Sequence, residues 1–319
     1  MITRNRILGA LLAVALVPTV SAAWNDKGHM MVAFIAYQNL TPAVRNRVDV
    51  LLALNPHVAR WRTMIPASVP TQDRPAMLFM IAATWADQIK SRSDYSDDGS
   101  QNGNVPDGAS SSQNTGYDDK LRHKYWHFVD RPFSRDGTTL PAIPEPSAQT
   151  RIRLFRTVLA STATDALKSY DLVWLLHLVG DVHQPLHAVT RVRHAQPNGD
   201  AGGNAVTVCP VAPCASPLPK LHSFWDGALG PEEDVVTAAS AAKALPQAEA
   251  MHAAITDEKE WIAESFNLAQ GEVYRSPILS GLGPFTLTPA YRNTRQRIGR
   301  ERVALAGARL GALLNAELK

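Results

Sequence analysis

The run His177-Leu-Val-Gly-Asp181-Val-His183-Gln-Pro-Leu-His187 puts three histidines and an aspartate into eleven residues. The whole chain of 319 residues has ten histidines, so chance supplies less than one to a window of that length. His177 and Asp181 are four apart, which on a helix places them on one face, a turn from each other. Pro185 then ends or bends that helix, so His187 can approach from another direction. Imidazole nitrogens and carboxylates together suit zinc, which takes about four ligands and keeps a position open where it is catalytic. A His-x-x-x-Asp spacing alone is weak evidence. It recurs at His222 and Asp226, and ten histidines among 29 acids give about one such pair by chance. The compact cluster carries the argument.

The elements that must hold these residues read as helices. Val32, Ile35, Ala36 and Leu40 recur at helical spacing in Met30–Leu40, and Thr41-Pro42 supplies a cap and first residue for the next helix. Ala76–Lys90, Ile152–Ala160, Leu172–Val182, Ala238–Leu268 and Thr294–Leu318 follow the same period. Strand-like alternation is scarce, with Asn204–Val208 the best short run. The chain is therefore read as mainly α, a single domain with long surface loops. Two stretches are not helical: the polar Ser91–Asp119, rich in Gly, Ser, Asn and Asp, and the Pro- and Gly-bearing Arg191–Pro219. Loops this long are commonly functional.

Residues 1–23 read as a secretory signal. Arg4 and Arg6 precede the apolar run Ile7–Val20, which ends in the small residues Ser21-Ala22-Ala23. Fourteen residues containing Pro18 fall short of the ~20 needed to span a bilayer. Cleavage after Ala23 would leave Trp24 first, and cleavage after Ala22 fits the same rule. Without Arg4 and Arg6 the 32 basic residues become 30, against 29 acidic ones. Near neutrality excludes a protein that holds nucleic acid by a broad basic surface. An anionic substrate must then be held by a few local charges or by metal. Cys209 and Cys214, the only cysteines, sit in Cys-Pro-Val-Ala-Pro-Cys. In an oxidising compartment they are expected to close a local disulfide.

Taken in order, six separated motifs resemble the zinc-dependent S1/P1 nucleases, whose fold is shared with bacterial zinc phospholipase C. They are Trp24-Asn-Asp-Lys-Gly-His29, Thr84-Trp-Ala-Asp87, Trp126-His-Phe-Val-Asp130, the His177–His187 run, Gly202-Gly-Asn204 and Leu221-His-Ser-Phe-Trp-Asp226. Trp261-Ile-Ala-Glu264-Ser265 and Ala306-Gly-Ala-Arg309-Leu310 add to it near the end. The resemblance spans residues 24–319. It implies three zinc ions: one on Asp87, His127, His177 and Asp181, a second on His187, His222 and Asp226. The third would take His29, Asp181 and the amine and carbonyl of an N-terminal Trp24. Asp181 thus bridges two metals. It also implies catalytic roles for Asp87, Lys90 and Asp181, and substrate contacts by Lys90, Phe128, Asp130 and Asn204. His183 would pack behind the ligands, whereas His57, His123, His194 and His252 read as ordinary surface histidines.

The function so implied is a secreted or periplasmic phosphodiesterase that cleaves single-stranded DNA and RNA to 5′-phosphorylated products, with 3′-nucleotidase activity also open to it. Water activated between metals would attack phosphorus in line. Substrates would be single strands and nucleotides, with no stable protein partner. The alternatives are a phospholipase C on the same scaffold, with a phospholipid substrate, and a non-catalytic periplasmic zinc-binding protein. The sequence departs from fungal and plant members in the 40 residues between Asp87 and His127 and in the insertion Arg191–Ala201. Both extensions emerge beside ligand positions and should border the substrate cleft.

Overall fold

Helices make most of the architecture in the computed structural model, which describes residues 24–98 and 119–318. The signal-like segment and most of the Ser91–Asp119 stretch lie outside the described residues. Helix α1 (Asp26–Gln38) starts at Asn25, whose side chain accepts from Gly28 N, and α2 (Pro42–Ala53) starts at Thr41, which accepts from Val44 N. These caps satisfy N–H groups that a helix start leaves unpaired. After α3 (Val58–Thr63) come α4 (Arg74–Ala82) and α5 (Trp85–Gln88), then α6 (Ala148–Ala160) and α7 (Asp165–Asp181). Then follow α8 (Leu221–Asp226), α9 (Val235–Lys243), α10 (Ala250–Ala253), α11 (Glu258–Leu268) and the long α12 (Pro289–Glu317).

Helix α7 is the centre of the molecule. Every residue from Ser169 to Asp181 is buried, as fits a helix that is apolar on all sides. Helices α1, α2, α5, α6 and α12 pack around it. Among them α1 and α12 approach closely, because a Cβ on Gly307 would lie 2.5 Å from Ile35 Cβ and one on Gly311 would lie 3.0 Å from Ala36 O. One apolar cluster runs through all these contacts.

Two expected helices are broken. Ala76–Lys90 divides into α4, α5 and a 3-10 turn at Ile89–Ser91. The carbonyl of Ala83 accepts from His177 Nδ1 at 2.7 Å, and Thr84 Oγ1 donates back to Ile81 O at 2.8 Å. These bonds bend the chain at the turn that delivers Asp87. Ala238–Leu268 divides into α9, α10 and α11, separated by Pro246 and by the new cap Asp257, which accepts from Lys259 N. The expected strand at Asn204–Val208 shrinks to β3 (Val208–Cys209), because Asn204, Ala205 and Val206 donate into consecutive turns on Ala201, Asp200 and Gly203.

Short parallel pairs replace a sheet. β1 (Pro132–Phe133) pairs with β2 (Thr190–Arg191), tying the segment after His127 to the segment after His187; β3 pairs with β4 (Phe285–Thr286). Cys209 and Cys214 form the expected disulfide. No helix among the described residues is long and apolar enough to cross a membrane.

Candidate metal centre

The side chains that could bind metal arrive from six elements. His29 comes from α1, Asp87 from α5, and His127 from a 3-10 turn at Lys124–His127. His177 and Asp181 come from the last turns of α7, His187 from the 3-10 turn after Pro185, and His222 and Asp226 from α8. All eight are buried. Ligand atoms of three sets lie within 4.8 Å of one another: His29, His177 and Asp181; Asp87, His127 and His177; and His187, His222 and Asp226.

Around the first centre, His127 Nδ1 lies 3.0 Å from His177 Nε2, 2.9 Å from Asp181 Oδ2 and 3.7 Å from Asp87 Oδ1. His177 Nε2 lies 3.5 Å from that Asp87 oxygen and 3.3 Å from Asp181 Oδ2. Five of the six spacings among these four atoms lie at 2.9–3.7 Å, close to the tetrahedral edges of about 3.3–3.6 Å that zinc bonds of about 2.0–2.2 Å imply. The other oxygen of Asp181 points elsewhere, 3.3 Å from His29 Nε2. Asp181 therefore stands between two groups. His29 stacks on His177 with ring centres 3.8 Å apart.

Backbone carbonyls set the imidazoles. The Nδ1 atoms of His177, His187 and His222 face the carbonyls of Ala83, His127 and Gly202 at 2.7, 2.8 and 2.7 Å. Donation there turns each Nε2 toward the centre, as metal-binding histidines require. His187 Nε2 and His222 Nε2 then present lone pairs to each other at 3.0 Å, an arrangement that calls for a cation between them. His222 Nε2 is 3.8 Å from Asp226 Oδ1, and Gln184 Nε2 donates to that oxygen at 2.7 Å.

The electrostatics point the same way. Asp87, Asp181 and Asp226 are buried together with Lys90, whose Nζ is 2.6 Å from Asp87 Oδ1. The cations facing them are Lys90 and His177, which burial would lower but Asp181 and Asp87 raise to about 10, and burying so many charges together is costly. Burial pushes the Asp87 carboxyl up, but Lys90 and His177 hold it well below the usual range; His177 does most to do the same for Asp181. Asp226 is pushed well up by burial. Burial lowers His29 to about 4 and His127 and His222 to about 3, so these rings are neutral. His29 Nε2, Asp87 Oδ2 and Asp181 Oδ1 are buried without a hydrogen bond. This donor set fits zinc.

A cleft opens onto His127, His187 and His222, walled by Lys90, Lys124, Phe128, Asp130 and Asn204. Lys90 enters it already paired to Asp87. Phe128 is half-buried against the core. Burial, reinforced by the nearby Asp200, raises Asp130 to about 7. Asn204 Nδ2 donates to Ala201 O at 2.9 Å. Trp24 is fully buried beside the cluster, its indole N–H donating to Gly180 O at 2.9 Å. His183 turns away. Its Nδ1 donates to Val179 O, and its Nε2 accepts from Arg309. Arg309 and Arg302 both pair with Glu264, and Ser265 Oγ donates to Val182 O. The conspicuous Trp261–Ser265 and Ala306–Leu310 motifs thus hold the end of α7 that carries Asp181.

His123 does not behave as a surface residue. It is fully buried, whereas His194 and His252 are exposed and His57 is half-buried. His123 Nδ1 lies 2.6 Å from Asp98 Oδ2, its Nε2 lies 3.1 Å from Asp119 Oδ2, and its ring stacks on Trp126 at 3.6 Å. Sequence reading also passed over Gln184 and Lys124. Lys124 lies three residues before His127 and pairs with Asp97 at 2.9 Å, and its position beside His127 was the available signal.

Fold and site together define a helical protein with a buried His/Asp centre able to hold several metal ions under an open cleft. The sequence profile described as S1/P1 Nuclease matches residues 24–319, and the chain belongs to that family. Endonuclease 4 of Arabidopsis thaliana is 30% identical over 180 residues, which cover 49% of this chain and 54% of that protein. The chain thus aligns with about half of that relative's length.

Proposed function

We propose that the protein is a zinc-dependent nuclease that cleaves single-stranded DNA and RNA to 5′-phosphorylated products and removes 3′-phosphates from nucleotides. It acts outside the cytoplasm after loss of residues 1–23. Eight buried His and Asp side chains beneath a cleft walled by two lysines, a phenylalanine and an aspartate carry this reading. Three zinc ions would be held by the sets the family resemblance implies: Asp87, His127, His177 and Asp181; His187, His222 and Asp226; and His29, Asp181 and the Trp24 main chain. When bound, zinc lowers the pKa of water towards about 7 and neutralises phosphoryl charge. The rest belongs to the chain. Asp181 orients His127, His177 and His29, and Lys90 holds the Asp87 carboxylate charged beside the phosphate. Phe128 offers a face for a base, and Asp130 offers an oxygen to its edge. A base must leave its stack to reach Phe128, which favours single strands.

A storage protein would close its metal sites with protein ligands; this centre opens to a cleft on His127, His187 and His222. The deciding assay compares single-stranded DNA, duplex DNA and phosphatidylcholine on one zinc-loaded preparation, with and without chelator. Chelator-sensitive cleavage that prefers the single strand supports the proposal. Hydrolysis of the phospholipid alone would refute it.

A further inference from the structure

Between α8 and α9 the chain runs Asp226-Gly-Ala-Leu-Gly-Pro-Glu-Glu233 back across the start of α1. Asn25 N donates to Asp226 O at 3.3 Å, and Asn25 Nδ2 donates to Gly230 O at 2.8 Å. Glu232 then accepts twice, from Asp26 N at 3.1 Å and from Lys27 N at 3.3 Å. Glu233 pairs with Lys27 Nζ at 2.8 Å. Gly230 turns the strap with φ +100° and ψ −171°, a conformation that glycine alone adopts without strain.

A helix start needs partners for its first N–H groups, but α1 already has an Asn25 cap on Gly28 N. The added grip falls on residues 25–27, between the buried Trp24 and His29. Trp24 has a tight seat of its own. A Cβ on Gly28 would lie 2.7 Å from Trp24 Cβ, and one on Gly180 would lie 2.9 Å from His29 Nδ1. Asp226 joins the two regions, since its carboxylate faces His222 while its carbonyl holds Asn25.

We propose that the 226–233 strap, through Glu232 and Glu233, is the positioning element that fixes Trp24 against His29 and Asp181 and thereby sets the affinity of the metal group built there. This rests on the reading of Trp24 as a main-chain ligand. Glu232 is exposed and Glu233 partly so, so replacing both opens no apolar packing; Glu233→Ala takes the partner from the buried Lys27, and the glutamine pair keeps an acceptor for it.

The test uses the chain produced to begin at Trp24, with zinc counted during chelator competition. In the Glu232→Ala, Glu233→Ala double variant one zinc of three should weaken by about tenfold or more, the scale of losing groups that orient ligands. The other two should hold as in the parent, and hydrogen exchange at Asn25–Lys27 should quicken. The Glu232→Gln, Glu233→Gln pair keeps acceptor oxygens and should fall between. Three zincs of unchanged affinity in the alanine pair overturn the strap's role, as does equal weakening of all three. A parent chain holding only two zincs overturns it by removing the group it serves. A three-zinc parent that fails to cut single-stranded DNA contradicts the nuclease reading and leaves this zinc readout standing.

Discussion

Asp181 divides its two oxygens between neighbours, Oδ2 toward His127 and His177 and Oδ1 toward His29. Asp181→Asn should therefore strip two metals, where Asp226→Asn should strip one. We expect its kcat/KM to fall by more than about 100-fold, beyond the loss typical of a group that only orients a ligand. Zinc analysis beside kinetics checks this, and an Asp181→Asn protein with full zinc and full activity contradicts it. Phe128 is separable from the metals, since it walls the cleft without a ligand atom. Phe128→Ala should cost about 1–3 kcal/mol of substrate binding if a base stacks there. That loss should appear in KM for oligonucleotides and vanish for a phosphodiester with no base. Equal losses on both would make Phe128 a packing residue.

At the scale of elements, His123 clasps the two described ends of the long polar stretch, Asp98 and Asp119. Arg122 and Lys124 meet Asp97 beside it, and Tyr125 donates to Asp98. Burial alone would lower the His123 pKa; its bonds to Asp119 and Asp98 outweigh burial and raise it. A raised group stabilises fully below its ordinary value of about 6.5, and that stability fades as pH climbs through the folded value. The wild-type melting temperature should thus drop more than that of His123→Gln as pH rises above about 6.5; parallel profiles would contradict the clasp. The α1–α12 contact is also testable, because Gly307→Ala places a methyl 2.5 Å from Ile35 Cβ and 2.9 Å from Val32 O. Such overpacking should cost about 1–3 kcal/mol in denaturant unfolding. Helix α2 was legible from its Thr41-Pro42 start and α7 from its apolar run beginning at Leu172, although α7 starts seven residues earlier at Asp165, after the cap Thr164. The break before Asp87 was not, since it depends on His177 reaching the Ala83 carbonyl from 94 residues away. For the same reason His123 looked unremarkable: its partners are separated by a long insertion in sequence and meet only in the fold.

For the whole molecule, the apolar helix α7 is encased by its neighbours while its final turn, braced by Glu264, Arg302 and Arg309, delivers His177 and Asp181 to the buried centre beneath the cleft. The candidate ligands were legible as short motifs of His and Asp. Their carbonyl partners and the strap over Trp24 were not, because backbone oxygens leave no mark on residue type. On the proposed reading, loss of residues 1–23 would join export to activity. An amine can ligate zinc, whereas an acylated nitrogen is a poor ligand, so the group at Trp24, His29 and Asp181 should form only when the chain begins at Trp24. The most direct measurement counts zinc per chain, together with the rate of single-stranded DNA cleavage, for that form and for one retaining residues before Trp24. The account predicts close to three zincs and rapid cleavage for the first, with fewer zincs and slow cleavage for the second. Equal zinc and equal rates in both forms, or a single zinc in an active chain beginning at Trp24, would contradict it.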